Sequence, residues 1–199
     1  MMKYEALVFT VSALVVLGVA DAFPDGASPR ACVDMVPGHS STTEPGRVIS
    51  PQESISPYSV VARGDGYTPG GTVSVSILAE PSNITFQGFL LQARTLTSLD
   101  PVGTFLAGTD GASRLLTCNV TGDSITHTGP GVKRSGMTLT WQAPTESVGN
   151  IRFLLSVARN HDVYWVRMES NTLSASASLS AVTMPILVFL LGVTMATSN

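Results

Sequence analysis

Thr72-Val73-Ser74-Val75-Ser76-Ile77-Leu78, entered through Gly70-Gly71 and followed by Pro81, alternates without a break. Val73, Val75 and Ile77 fall on one face and Thr72, Ser74 and Ser76 on the other. That is the period-two signature of a strand with one face in a core and one in water. The same period runs through Met137-Thr138-Leu139-Thr140-Trp141, which makes Trp141 a core residue. It returns between Ile151 and Arg159, where Ile151, Phe153, Leu155 and Val157 share a face before the turn residues Asn160-His161-Asp162. Weaker strands are expected over 84–95, 102–106, 114–119 and 163–168, separated by Asp100-Pro101, Thr109-Asp110-Gly111 and Thr121-Gly122-Asp123. Seven or more short strands with frequent turns predict an all-β, antiparallel β-sandwich. Residues 23–57 are rich in Pro, Gly, Ser and Thr and lack a 3.6-residue apolar period, so they read as loops and short extended pieces.

Outside this body the chain is apolar at both ends. Lys3 precedes an apolar run from Ala6 to Val19, followed by Ala20-Asp21-Ala22, the form of a secretory signal peptide over residues 1–22 with an A-x-A cleavage site. The C-terminal run from Ala181 to Ala196 reaches only about 24 Å as a helix, short of the roughly 30 Å of a hydrocarbon core. Only Thr197, Ser198 and Asn199 follow it, with no basic residue. Residues 171–199 are therefore read as a polar spacer and hydrophobic tail of a glycosylphosphatidylinositol-anchor signal, rather than as a span or a buried strand, with attachment at Ser170 or Ser174. The expected location is extracellular, secreted or held on the outer face of the plasma membrane.

Residues 23–170 remain, the size of one ordinary domain. The net charge of -3 and the isoelectric point near 5.5 offer no basic patch beyond Lys133-Arg134, which argues against a nucleic-acid partner. Cys32 and Cys118, in an oxidising compartment, are expected to form a disulfide. Closing so long a loop stabilises a fold by at most about 4 to 5 kcal/mol in the chain-entropy model. Asn83-Ile84-Thr85 and Asn119-Val120-Thr121 are glycosylation sequons, which place Asn83 and Asn119 at the surface if they are used. His39, His127 and His161 stand at no metal-ligand spacing, and no zinc, calcium, nucleophile-elbow or phosphate-loop motif is present, so no enzyme activity, metal or cofactor is expected. His39, after Pro37-Gly38, is expected to pin its loop by a hydrogen bond.

The series Cys32-Val33-Asp34-Met35-Val36-Pro37-Gly38-His39, Ser56-Pro57-Tyr58, Tyr67-Thr68-Pro69-Gly70, Phe86-Gln87-Gly88-Phe89-Leu90-Leu91-Gln92-Ala93-Arg94 and Val102-Gly103-Thr104-Phe105 resembles the reeler (reelin N-terminal) domain. The likeness continues in order through Cys118, Ile125-Thr126-His127, Thr140-Trp141-Gln142-Ala143-Pro144 and Tyr164-Trp165-Val166. It implies an immunoglobulin-like sandwich, in agreement with the alternation. The haem-binding and multi-pass modules of reductase-like members and the repeat arrays of matrix members have no counterpart here. The resemblance therefore points to the stand-alone defense-protein group: a non-enzymatic recognition protein of innate immunity that binds microbial surface glycans or glycolipids. The alternative is a cell-surface adhesion or extracellular-matrix module binding host molecules. Ring faces stack on sugars, so Tyr58, Tyr67 and Tyr164 are the candidate ligand contacts.

Overall fold

The computed structural model describes residues 25–176. The expected signal peptide and the hydrophobic part of the tail lie outside that range. Among the described residues, thirteen strands follow a 3₁₀ turn at Pro29–Cys32: β1 Tyr58–Ala62, β2 Gly66–Tyr67, β3 Thr72–Ala79, β4 Thr85–Phe86, β5 Gly88–Thr95, β6 Thr104–Phe105, β7 Ser113–Leu116, β8 Ser124–His127, β9 Lys133–Arg134, β10 Met137–Gln142, β11 Ile151–Ala158, β12 Tyr164–Glu169 and β13 Ser174–Ala175. They form an immunoglobulin-like antiparallel sandwich of a four-stranded sheet, β1-β3-β10-β6, and a five-stranded sheet, β12-β11-β5-β8-β7. The short pairs β4-β9 and β2-β13 tie loops at the rim, the second of them parallel.

The alternation of β3 does what its sequence dictates. Val73, Val75, Ile77 and Ala79 are buried, and the intervening hydroxyls face out. β10 pairs with β3 so that Leu139 faces Val75 and Trp141 faces Val73. Trp141 is fully buried, donates its indole N–H to the Val102 carbonyl at 2.9 Å, and meets Phe153 of the opposite sheet edge to face at 5.5 Å. Ile151, Phe153, Leu155 and Val157 of β11 supply the facing half of this core together with Phe89, Leu91 and Ala93 of β5.

Three local features differ from the sequence expectation. β1 escapes the alternation test because Val61, half exposed, puts an apolar residue on its outer face. Cys118 stands in the turn after β7 instead of on the strand, because β7 ends at Leu116. The ordered body also continues past residue 170. Leu173 is fully buried and exchanges backbone hydrogen bonds with Ile151, and β13 pairs with β2.

Candidate functional site

The outer face of a sandwich sheet normally meets water, yet β5 is buried on both faces. The cover is the segment from Asp25 to Ser40, which crosses the five-stranded sheet as an arm. Its first residues are held by Ala27, whose N–H donates to the Thr126 hydroxyl at 2.9 Å. That hydroxyl in turn donates to the Phe89 carbonyl at 2.6 Å. The 3₁₀ turn is capped by Ser28 and begins with Pro29, which has no N–H to satisfy. Cys32 then bonds to Cys118, with Cα atoms 5.6 Å apart. Ala31 and Met35 from the arm pack on Leu90, Leu116 and Leu154, forming a second, smaller core.

Two buried polar side chains of β5 read the backbone of the arm. Arg94, 1% exposed, donates from Nη2 to the carbonyls of Cys32 and Val33 at 2.7 and 3.0 Å, and Gln92 donates to the same Cys32 carbonyl at 3.2 Å. Burial lowers the Arg94 pKa, and the nearby Arg167 adds to the effect. Met35, held at φ +59° in the left-handed region, accepts a hydrogen bond at its carbonyl from Ser156 at 2.8 Å. From there Pro37-Gly38 carries the chain to His39, beside His161 in the β11–β12 connection.

Between this arch and the Gly88–Ala158 end of the sheet lies a cavity of about 230 Å³. Its walls include Ala27, Ala31, Met35, Leu90, Pro130 and Ala158, with no Asp, Glu, Lys or Arg among the lining residues. Sequence spacing kept the three histidines apart, but folding brings all of them to this one cavity. His39 donates from Nδ1 to the His161 carbonyl at 2.6 Å, which is the loop-pinning bond expected of it. Its ring stacks on that of His161 at 4.8 Å and meets Tyr164 edge-on at 5.6 Å. His161 uses its own Nδ1 on the Asp162 carboxylate at 2.7 Å. The His127 Nδ1 lies 3.1 Å from the Phe89 N–H and 3.2 Å from both the Phe89 carbonyl and the Thr126 hydroxyl. Gly88 leaves room for the His127 ring, since a Cβ there would lie 3.0 Å from Cε1.

Burial lowers the pKa of His39, partly offset by its bond to the His161 carbonyl, and burial likewise lowers that of His127. Both rings are held neutral at neutral pH. Lys133, the expected basic feature, is 7% exposed and donates to the carbonyls of Gln87, Gly129 and Gly131, which fixes the loop carrying Pro130. Among the described residues no group of three His, Cys, Asp or Glu side chains is arranged to hold a metal ion.

The tyrosines require a correction. Tyr58, Tyr67 and Tyr164 are 2%, 3% and 0% exposed and offer no ring face to a sugar. Each hydroxyl is spent on a backbone carbonyl, of Thr85, Gly149 and Ile49 respectively, because a buried phenol needs a partner and a loop carbonyl lay within reach. Tyr164 alone touches the cavity. Asn83 and Asn119 are exposed, and Asn119 donates its amide to Asp100 at 3.0 Å. Ser170 and Ser174 lie within the folded body, Ser170 accepting the Phe153 N–H at 3.0 Å. Sequence reasoning missed the cavity and its histidines. The available signal was the apolar outward residue Leu90 on a strand whose inward face was already apolar.

A Reeler domain family model matches residues 30–180. "Putative defense protein Hdd11" of Hyphantria cunea is 34% identical over 157 residues, spanning 77% of this chain and 89% of that protein. Ferric-chelate reductase 1 of Bos taurus is 30% identical over 174 residues, spanning 83% of this chain but 27% of the reductase. The chain spans between 22% and 27% of the length of the reductase relatives it matches. Among solved structures, the human F-spondin reeler domain superposes with a TM-score of 0.53 at 20% identity, covering 64% of this chain and 94% of that one, a likeness of fold alone.

Proposed function

The chain belongs to the Reeler domain family, and on that premise we propose that it is an extracellular, non-enzymatic recognition protein of innate defence that binds microbial envelope glycolipids. The observation that carries this reading is the uncharged, mostly apolar cavity of about 230 Å³ beneath the disulfide-tethered arm. A bare glycan gains little from such walls, and the buried tyrosines provide no stacking platform for one. A lipid-bearing ligand removes apolar surface from water on both sides, at roughly 25 cal/mol per Å² before the costs of association. The defence role is taken from the relatives of similar length, named as defense proteins. The reductase relatives match over about a quarter of their length, so their activity has no claim on this chain. Attachment to the outer face of a cell through the C-terminal tail belongs to the same proposal.

The test is a binding panel of lipopolysaccharide, lipoteichoic acid, β-glucan and heparin, using protein from animal cells expressing the full chain. Saturable binding of a lipid-bearing ligand is expected, weakened about tenfold or more by Ala158→Trp, which places an indole in the cavity. Binding of β-glucan or heparin alone, or binding untouched by that substitution, would refute the glycolipid reading. Release from those cells by phosphatidylinositol-specific phospholipase tests the anchor.

A further inference from the structure

We propose that the cavity takes an aliphatic chain bearing a hydroxyl group, a hydroxylated fatty acyl chain, with His39 and His127 as the residues that recognise the hydroxyl. This rests on the reading of the cavity as the recognition site and names the part of the ligand that enters it.

The walls set the first requirement. With no fixed charge among the lining residues, the portion of ligand inside is neutral, and any charged head remains outside the mouth. The histidines set the second. All three spend Nδ1 on the protein, and among the described residues none of their Nε2 atoms has a protein partner.

For His39 the hydrogen bond decides where the proton sits, and for His127 it serves either position. The His127 Nδ1 lies 3.1 Å from the Phe89 N–H and 3.2 Å from the Phe89 carbonyl, so it accepts from the one or donates to the other, and its Nε2 is a donor or an acceptor accordingly. The His39 Nδ1 bonds to a carbonyl, which only accepts, so Nδ1 carries the proton and Nε2 is an acceptor. Burial keeps both rings neutral near neutral pH. The cavity wall therefore presents an acceptor at His39 and, at His127, a second imidazole nitrogen that either donates or accepts, in mostly apolar surroundings. A methylene chain satisfies neither and a carboxylate only accepts. A hydroxyl both donates and accepts, so it serves His39 and either form of His127.

Calorimetry with 3-hydroxytetradecanoate and tetradecanoate at neutral pH tests the inference on protein from cells expressing the full chain. The hydroxylated acid is expected to bind about tenfold more tightly. In His127→Phe and His39→Phe the preference should shrink towards parity while tetradecanoate still binds. Equal affinity of the two acids for the native protein overturns the inference whether or not the variants fold, as does a preference that both variants retain. If neither acid binds while microbial glycolipid binding persists, the cavity assignment falls and the defence reading survives. A hydroxyl preference in a protein that binds no microbial ligand supports the inference and overturns the defence reading instead.

Discussion

Histidine and tyrosine are ambiguous in sequence because each has an apolar body and a polar tip, and burial decides which half matters. Here Tyr58, Tyr67 and Tyr164 turn inward, whereas His39, His127 and His161 line a cavity. The lowered pKa of His39 and His127 has a consequence for stability. An imidazole that resists protonation in the fold, but takes a proton near pH 6.5 when unfolded, leaves stability at its full value above that pH and subtracts from it as pH falls below. The groups facing His39 are His161, Asp162 and Tyr164, with Asp162 opposing the shift; those near His127 are Lys133, Arg114 and His39, all reinforcing it, with the Phe89 hydrogen bond opposing it. Thermal unfolding followed from about pH 7 to about pH 5 should show a falling midpoint, flatter in the double variant His39→Gln, His127→Gln. An equal slope in both proteins would assign the acid sensitivity to other groups.

At the level of elements, β3 and β10 were legible because each buries one face, and alternation reports a one-sided environment directly, whereas β11 showed its core face through Ile151, Phe153, Leu155 and Val157 although Leu154 and Ser156 on the other face are buried as well. β5 was readable as a strand but its role was not. Its residues Leu90, Gln92 and Arg94 look like an ordinary mixed outer face until the arm is laid on them. The strand reading of 84–95 therefore located the motif around Phe86 to Arg94 without explaining its hydrophobicity. The cover makes a contrast that unfolding measurements can read. Leu90, 3% exposed and packed under the arm, should cost about 2 to 5 kcal/mol when replaced by Ala. Ser74→Ala, on the open outer face of β3, should change stability by no more than about 0.5 kcal/mol. A small effect at Leu90 would mean that the arm lies loosely on the sheet.

For the molecule as a whole, the sandwich closes at its C-terminal end later than composition suggested. A chain cut after Ser170 loses Leu173, which is fully buried, and the Asn171 side chain, which accepts the Ala62 N–H at 3.0 Å and donates to the Gly64 carbonyl at 2.8 Å. Of the two expected lipid-attachment residues, Ser174 leaves these contacts in place. Mass spectrometry of the mature C-terminal peptide should therefore find attachment at Ser174 or beyond, and a lipid on Ser170 would contradict this. The all-β class, the core face of the main strands, the partner of each cysteine and the family resemblance were all determined by sequence, because they depend on local period, residue count and motif order. The arm over β5, the burial of the tyrosines and the meeting of His39, His127 and His161 were decided only by tertiary structure. These are contacts between segments up to 122 residues apart, and no period along the chain encodes which surface a loop will cover.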